Sequence, residues 1–86
     1  MSAPPTSRPS IAVVGSGDGE LAIFLATAVP DAVVAGFDTD ARVVVHARRR
    51  AACLGVADRV TFEATAPGAV LGSGYRMVVL TRADAR

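Results

Sequence analysis

The chain has 86 residues, 51% of them hydrophobic, and its nine arginines and eight acidic residues leave a formal net charge of +1. This length fits one small domain of limited stability, and the apolar fraction excludes a disordered chain. The near-neutral charge gives no electrostatic reason to expect nucleic acid or an anionic membrane as a partner. The single cysteine, Cys53, excludes an intrachain disulfide and is typical of a cytoplasmic protein. No apolar stretch approaches the ~20 residues of a membrane helix.

Strands and helices alternate along the first half of the chain. A flexible tail is predicted over 1–10, a short buried strand over 11–14 and a helix over 19–29. The helix is apolar on every side, so we expect it to be largely covered. The residues that share its main apolar face are Leu21, Phe24, Leu25 and Ala28. A second strand is predicted over 32–38.

A second helix over 40–54 carries the clearest helical pattern. Thr39 or Asp40 can cap its start, and Gly55 suits its end. Its predicted inner stripe consists of Val44, Ala47, Ala51 and Leu54. We expect Cys53 to be a small buried helix residue and the arginines at 48–50 to be solvated. His46 has no second metal ligand at a suitable spacing, so we interpret it as a surface residue and predict no metal site.

The remaining elements are a third strand over 59–64 and a fourth over 76–81, with a C-terminal tail over 82–86. A glycine-rich connection with about one helical turn is predicted over 67–74. Because apolar strands alternate with helices, the sequence predicts an α/β fold with a Rossmann-like parallel sheet of about four strands flanked by helices. We expect residues 11–81 to form this single domain.

The first strand ends in "GSGDG", with glycines at positions 15, 17 and 19. Glycine adopts backbone angles that other residues avoid and lets a ligand approach the main chain. The helix that follows offers unpaired N–H groups to a carboxylate or a phosphate. The alternative interpretation of Gly15, Gly17 and Gly19 is a tight turn that binds nothing.

Asp38 stands at the end of the second predicted strand, where its carboxylate can accept hydrogen bonds from both hydroxyls of a ribose. It could equally cap the second helix. A dinucleotide fingerprint places its third glycine where this chain has Glu20, so the spacing disfavours NAD and FAD. A nicotinamide-dinucleotide module with an atypical loop stays open as an alternative.

Residues 13–62, with the later "GYRMVVL", resemble the cofactor-binding N-terminal half of class I S-adenosylmethionine-dependent methyltransferases. "GSGDG" resembles the glycine loop of that family and "GFD" its ribose-binding acid. "ARRRAACLGVADRVTF" resembles its second helix and third strand. The resemblance implies the strand order 3-2-1-4 and S-adenosylmethionine as the cofactor. It implies that Gly15, Ser16, Gly17 and Gly19 frame the methionine end of the cofactor, Asp38 the ribose and Thr39 the adenosine.

Three positions depart from the family pattern. The family usually has acidic residues at the positions of Val13 and Ala66 and often an aromatic-acid pair where this chain has Tyr75 and Arg76. An aromatic at the start of a strand is the simpler interpretation of Tyr75. No catalytic residue can be assigned, because methyl transfer rests largely on positioning.

The family's sheet continues beyond the fourth strand, so we expect this chain to be a truncated or split domain. Its fourth strand, 76–81, would then be a bare edge that pairs with a partner or a second copy. The predicted function is transfer of a methyl group to an unknown acceptor. The alternative to a catalytic domain is a non-catalytic fragment or partner subunit.

Overall fold

The structure, a computed structural model, describes residues 10–66 and 74–81. The helical turn expected within 67–74 and the tails expected at the two termini lie almost entirely outside the described residues. In chain order the elements are β1 (Ser10–Val14), α1 (Glu20–Ala28), β2 (Val33–Asp38), α2 (Ala41–Cys53), β3 (Val60–Ala64) and β4 (Met77–Leu80).

The four strands form one parallel sheet in the order β3-β2-β1-β4. In the register, Val13 of β1 lies between Gly36 of β2 and Val79 of β4. Because all four strands run in the same direction, their carboxyl ends meet at one edge of the sheet. The α/β, Rossmann-like prediction and the predicted strand order are confirmed.

Both helices pack on the same face of the sheet, as two right-handed crossovers running in one direction require. Side chains from β1, β2 and β3 meet small helix residues there, so the helices approach the sheet closely. The buried members of this cluster include Ile11, Val13, Ala22, Ile23, Ala26, Val34, Val44, Ala47, Ala51, Val60 and Phe62.

The predicted core face of α1 is wrong. The buried residues of α1 are Ala22, Ile23 and Ala26, whereas Phe24 is 62% exposed and Leu21 also faces solvent. The expectation that this helix is largely covered is therefore wrong as well. The small side chains of Ala22 and Ala26 allow α1 to lie close to the sheet, Leu25 packs at the margin of the core, and Leu21 and Phe24 are left outside.

The C-terminal turn of α2 also departs from the prediction. Val44, Ala47 and Ala51 are buried as expected, but Leu54 and Cys53 are exposed. Both residues follow Ala51, the last α2 residue in the core, so the stripe ends one turn earlier than predicted. Gly55 follows with φ 76°, the left-handed conformation that ends many helices.

The opposite face of the sheet carries a second, smaller apolar cluster. Ala12 and Val14 are buried there and pack with Phe37, Tyr75 and Val78. The rings of Phe37 and Tyr75 meet edge to face, with centroids 6.0 Å apart and planes at 75°. Within residues 10–66 and 74–81, no helix residue belongs to this cluster. The described helices therefore cover one side of the sheet.

Candidate functional site

The glycine loop leaves β1 at the carboxyl edge of the sheet. Gly15, Gly17 and Gly19 have φ values of 78°, 55° and 88°, a region that L side chains rarely adopt. The N–H groups of Gly15 and Ser16 both donate to the carbonyl of Phe37 in β2, at 2.7 and 3.0 Å. The spacing of the glycines thus reflects a turn that only glycine forms without strain.

Asp38 joins this loop to the end of β2. Its Oδ2 accepts a hydrogen bond from the N–H of Gly17 at 3.0 Å, and its Oδ1 accepts one from the N–H of Asp40 at 3.0 Å. The residue is 8% exposed. The carboxylate therefore binds both the glycine loop and the segment that leads from β2 into α2.

The cap of α2 is Asp40, whose Oδ1 accepts a hydrogen bond from the N–H of Arg42 at 2.9 Å. The prediction that Thr39 or Asp40 caps this helix is confirmed in Asp40. The alternative in which Asp38 itself caps α2 is wrong, because Asp38 lies two residues before the cap and accepts a hydrogen bond from the Asp40 N–H instead.

The aromatic ring of Phe62, from β3, lies beneath the loop. A Cβ at Gly19 would approach the Phe62 ring to 2.7 Å and the Ala47 side chain to 3.1 Å. A Cβ at Gly36 would also contact the ring, at 2.6 Å from Cε1. The Phe62 ring therefore leaves no room for a side chain at Gly19 in the loop or at Gly36 in β2.

Thr81, just after β4, supports the other side of the loop. Its hydroxyl donates to the carbonyl of Gly15 at 2.5 Å, and its N–H donates to the carbonyl of Val14 at 3.0 Å. The first and fourth strands are thus joined at the point where the glycine loop begins.

These segments surround an open cavity of about 780 Å³ at the carboxyl edge of the sheet. Of the predicted site residues, Gly15, Ser16, Gly17, Asp38 and Thr39 line it, while Gly19 is packed against Phe62 instead. The other lining residues are Asp18, Glu20, Leu21, Asp40, Val43 and Thr81.

Ser16 is the one lining residue with an unsatisfied buried group. The residue is 6% exposed, and its Oγ has no hydrogen-bond partner among the described residues. A buried hydroxyl without a partner is unfavourable, so such groups are rare and are often completed by a ligand or water.

Carboxylates dominate the charge of the cavity wall. Its four ionisable lining residues are Asp18, Glu20, Asp38 and Asp40, and none of the lining residues is basic. Arg50 pairs with Asp18 at 3.1 Å, and Arg42 lies 3.8 Å from Asp40. Both pairs are well exposed and are therefore screened by solvent.

Within the described part of the chain, no group of three or more histidine, cysteine or acidic side chains is arranged to hold a metal ion. No described helix has the length and apolar character that crossing a membrane requires.

Several known proteins that are similar to this chain are methyltransferases. No protein-family model matches the chain. The release factor glutamine methyltransferase of Bradyrhizobium diazoefficiens is 34% identical over 74 residues, which are 86% of this chain and 25% of that protein. An RNA methyltransferase from Salinibacter ruber, solved with S-adenosylhomocysteine, superposes with a TM-score of 0.76 at 26% identity, covering 93% of this chain and 60% of that one.

A methyltransferase from Geobacter sulfurreducens described as S-adenosylmethionine-dependent, also solved with S-adenosylhomocysteine, gives a TM-score of 0.61 at 34% identity. That match covers 67% of this chain and 23% of the other. The chain resembles S-adenosylmethionine-dependent methyltransferases in sequence and in fold. It spans a quarter of the length of the curated relative and less than two thirds of either structure.

The departures of this methyltransferase-like chain can now be placed. Val13 is fully buried in β1. Because valine stands at this position, the strand brings no carboxylate to the loop there. Tyr75 packs on Phe37 on the face of the sheet away from the helices and does not line the cavity, which fits its simpler interpretation.

Sequence reasoning missed Thr81 and the carboxylate of Glu20 as parts of the site. The signal for Thr81 was available, because a residue that follows a parallel strand lies at the same edge as the glycine loop. Glu20 had been considered only as a reason against a dinucleotide.

Proposed function

We propose that this chain is a domain that binds S-adenosylmethionine and contributes to methyl transfer to an acceptor still to be identified. The observation that carries the proposal is the hydrogen bond from Gly17 to Asp38, which joins the glycine loop and the strand-end acid in one cavity wall. The relatives solved with S-adenosylhomocysteine support the same cofactor.

The residues present fit this cofactor. A carboxylate has about four acceptor positions, and main-chain amides occupy two on Asp38, which leaves capacity for ribose hydroxyls. The Ser16 hydroxyl supplies an unsatisfied donor at the glycine loop. The first-turn N–H groups of α1 have no acceptor within the helix and suit the carboxylate of the methionine moiety.

The bound cofactor would supply an activated methyl group on a sulfonium. The chain's own contribution is positioning, because an in-line displacement gains most from holding the reacting groups in place. Gly15, Ser16 and Gly17 would hold the methionine end, Asp38 the ribose and Thr39 the adenosine. Gly19 would act indirectly, by allowing the loop to pass over Phe62.

Calorimetric titration tests the proposal. We expect heat from S-adenosylhomocysteine and none from NAD. Asp38→Ala should abolish binding, while Asp58→Asn, on the exposed turn before β3, should leave it unchanged. Binding of NAD alone would overturn the proposal in favour of a dinucleotide module, and no binding of either would leave a non-catalytic partner subunit.

We also propose that β4 pairs with another strand, from a second copy or from a partner chain. Its described neighbour is β1, and Met77 and Leu80 are 54% and 67% exposed. An apolar strand edge with unpaired main-chain groups favours such pairing. Sedimentation at increasing concentration should show self-association that Leu80→Pro weakens, since the N–H of Thr81 donates to β1 and that of the neighbouring Leu80 therefore faces the open side of β4. A monomer throughout would contradict pairing between copies.

Two broader proposals complete the assignment. Residues 11–81 would form the cofactor-binding unit, since the sheet spans nearly that range.

A cytoplasmic location would suit the free, exposed Cys53. Fractionation of cells that produce the tagged protein tests the location, and recovery in a secreted or membrane fraction would contradict it.

A further inference from the structure

We infer that the cavity selects the positively charged, methyl-bearing cofactor over its uncharged demethylated product, and that Glu20 is the residue that makes this selection. The inference rests on the proposed function, because it concerns which charge state of that cofactor the same cavity holds better.

The first step is the charge of the wall. All four ionisable lining residues are carboxylates. Asp18 and Asp40 each have an arginine nearby, at 3.1 and 3.8 Å. Those arginines are not lining residues, so they lower the negative potential of the wall without giving it a positive group.

The second step separates Glu20 from the other three acids. Asp38 has both oxygens engaged by main-chain N–H groups. The side chain of Glu20 has no hydrogen bond or ion pair within residues 10–66 and 74–81, although its N–H donates to Asp18. Glu20 is thus the lining carboxylate whose charge is not engaged by another described group.

The third step is the charge of the ligands. S-adenosylmethionine carries a sulfonium, an ammonium and a carboxylate, for a net charge of +1, whereas S-adenosylhomocysteine has lost the sulfonium charge and is neutral overall. Glu20 is the first residue of α1, directly after the glycine loop, and it lines the same cavity as the buried, unpartnered Ser16 hydroxyl. A free carboxylate there attracts the sulfonium, and the product, which lacks that charge, does not gain this contribution.

The size of the effect follows from exposure. Glu20 is exposed, and pairs between exposed charges contribute modestly, which corresponds to an affinity ratio of about two- to fivefold. Because solvent-exposed charges are screened by salt, the ratio should fall as ionic strength rises.

The experiment is titration of the 86-residue chain with three probes. S-adenosylmethionine and sinefungin, in which an amine replaces the sulfonium, both carry the extra positive charge, and S-adenosylhomocysteine does not. We expect both cationic probes to bind about two- to fivefold more tightly than S-adenosylhomocysteine in low salt. Glu20→Gln should remove most of that ratio, whereas Asp58→Asn, the same charge change on the turn before β3, should not.

The outcomes distinguish the inference from the proposed function. Equal affinity for all three probes overturns the selection by charge and leaves S-adenosylmethionine binding in place. A ratio that persists in Glu20→Gln assigns the selection elsewhere and overturns the role of Glu20. Absence of binding by every probe overturns both, and circular dichroism of each variant confirms that it is folded.

Discussion

At the scale of single residues, the hydroxyls of Ser16 and Thr81 lie in the same cavity wall but differ in their hydrogen bonding. The Ser16 Oγ is buried and has no partner among the described residues, whereas the Thr81 hydroxyl donates to the carbonyl of Gly15. A buried unsatisfied group costs about 1–3 kcal/mol, while a satisfied bond contributes about 1 kcal/mol. The two hydroxyls should therefore affect stability with opposite signs.

Replacing each hydroxyl tests this difference. Ser16→Ala should raise the free energy of unfolding by about 0.5–1 kcal/mol, because it removes an unsatisfied group, and should weaken S-adenosylhomocysteine binding. Thr81→Val should lower the free energy of unfolding by about 1 kcal/mol, because it leaves the Gly15 carbonyl without that donor. Urea unfolding and calorimetry measure both quantities. A Ser16→Ala chain that is less stable would show that the hydroxyl has a partner in solution.

Residue types alone located the glycine loop and Asp38, since strand-end glycines and a strand-end acid are visible in the sequence. They could not decide between ribose binding and capping for Asp38, because both uses need the same carboxylate at the same place. The structure adds a use that the sequence did not suggest, since the carboxylate accepts a hydrogen bond from the loop N–H of Gly17. Thr81 could be found from the sequence in the same way, because it follows the predicted fourth strand and the order 3-2-1-4 already places that strand beside the first.

At the scale of elements, β2 and β3 meet through the contact of Gly36 with the ring of Phe62. Gly36→Ala should destabilise the chain by about 1–3 kcal/mol, because the new methyl group has no space beside the ring. Phe62→Leu in the same chain should recover part of that loss, so the two changes should not be additive. Denaturant unfolding of both single variants and the double variant gives the coupling, and strict additivity would contradict the packing described.

Helix α2 depends on its N-cap, Asp40, which directly precedes the first helical residue. Asp40→Ala should cost about 1 kcal/mol of stability, because the side-chain oxygen that accepts from Arg42 is lost. Asp40→Ser should lose much less, since serine is also a good cap. Thermal unfolding followed by circular dichroism compares the two, and an equal loss in both would show that the carboxylate acts through charge and not as a cap.

The two helices were not equally predictable. The stripe of α2 was largely correct because polar residues surround it. α1 has apolar residues all around, so its periodicity could not choose a face, and the structure buries Ala22, Ile23 and Ala26. At the end of α2, the sequence could not show that the sheet no longer reaches Leu54.

At the scale of the whole molecule, strand order and direction followed from the alternation of strands and helices. The sequence could not show that the described helices cover only one face of the sheet. The described helices lie on one face, and Phe37, Tyr75 and Val78 remain only partly buried on the other. Burial of apolar surface on the helix side is therefore the main source of stability in the described structure.

Electrostatics should contribute little to that stability. The ion pairs of Asp18 with Arg50 and of Asp40 with Arg42 are both exposed, and the net charge of the chain is +1. Raising NaCl from about 0.05 to about 0.5 M should therefore change the free energy of unfolding by less than about 1 kcal/mol. Denaturation with urea, which is uncharged, measures this. A larger loss would indicate an ionic contribution that these pairs do not supply.

The position of Phe62 has a consequence for how the protein is made. Its ring supports a loop that follows the first strand, yet it arrives with β3, after both crossovers. A nascent chain that has emerged only as far as β2 contains every glycine of the loop and Asp38, but not the surface on which the loop rests. We therefore expect the proposed ligand site to form only after β3 has joined the sheet.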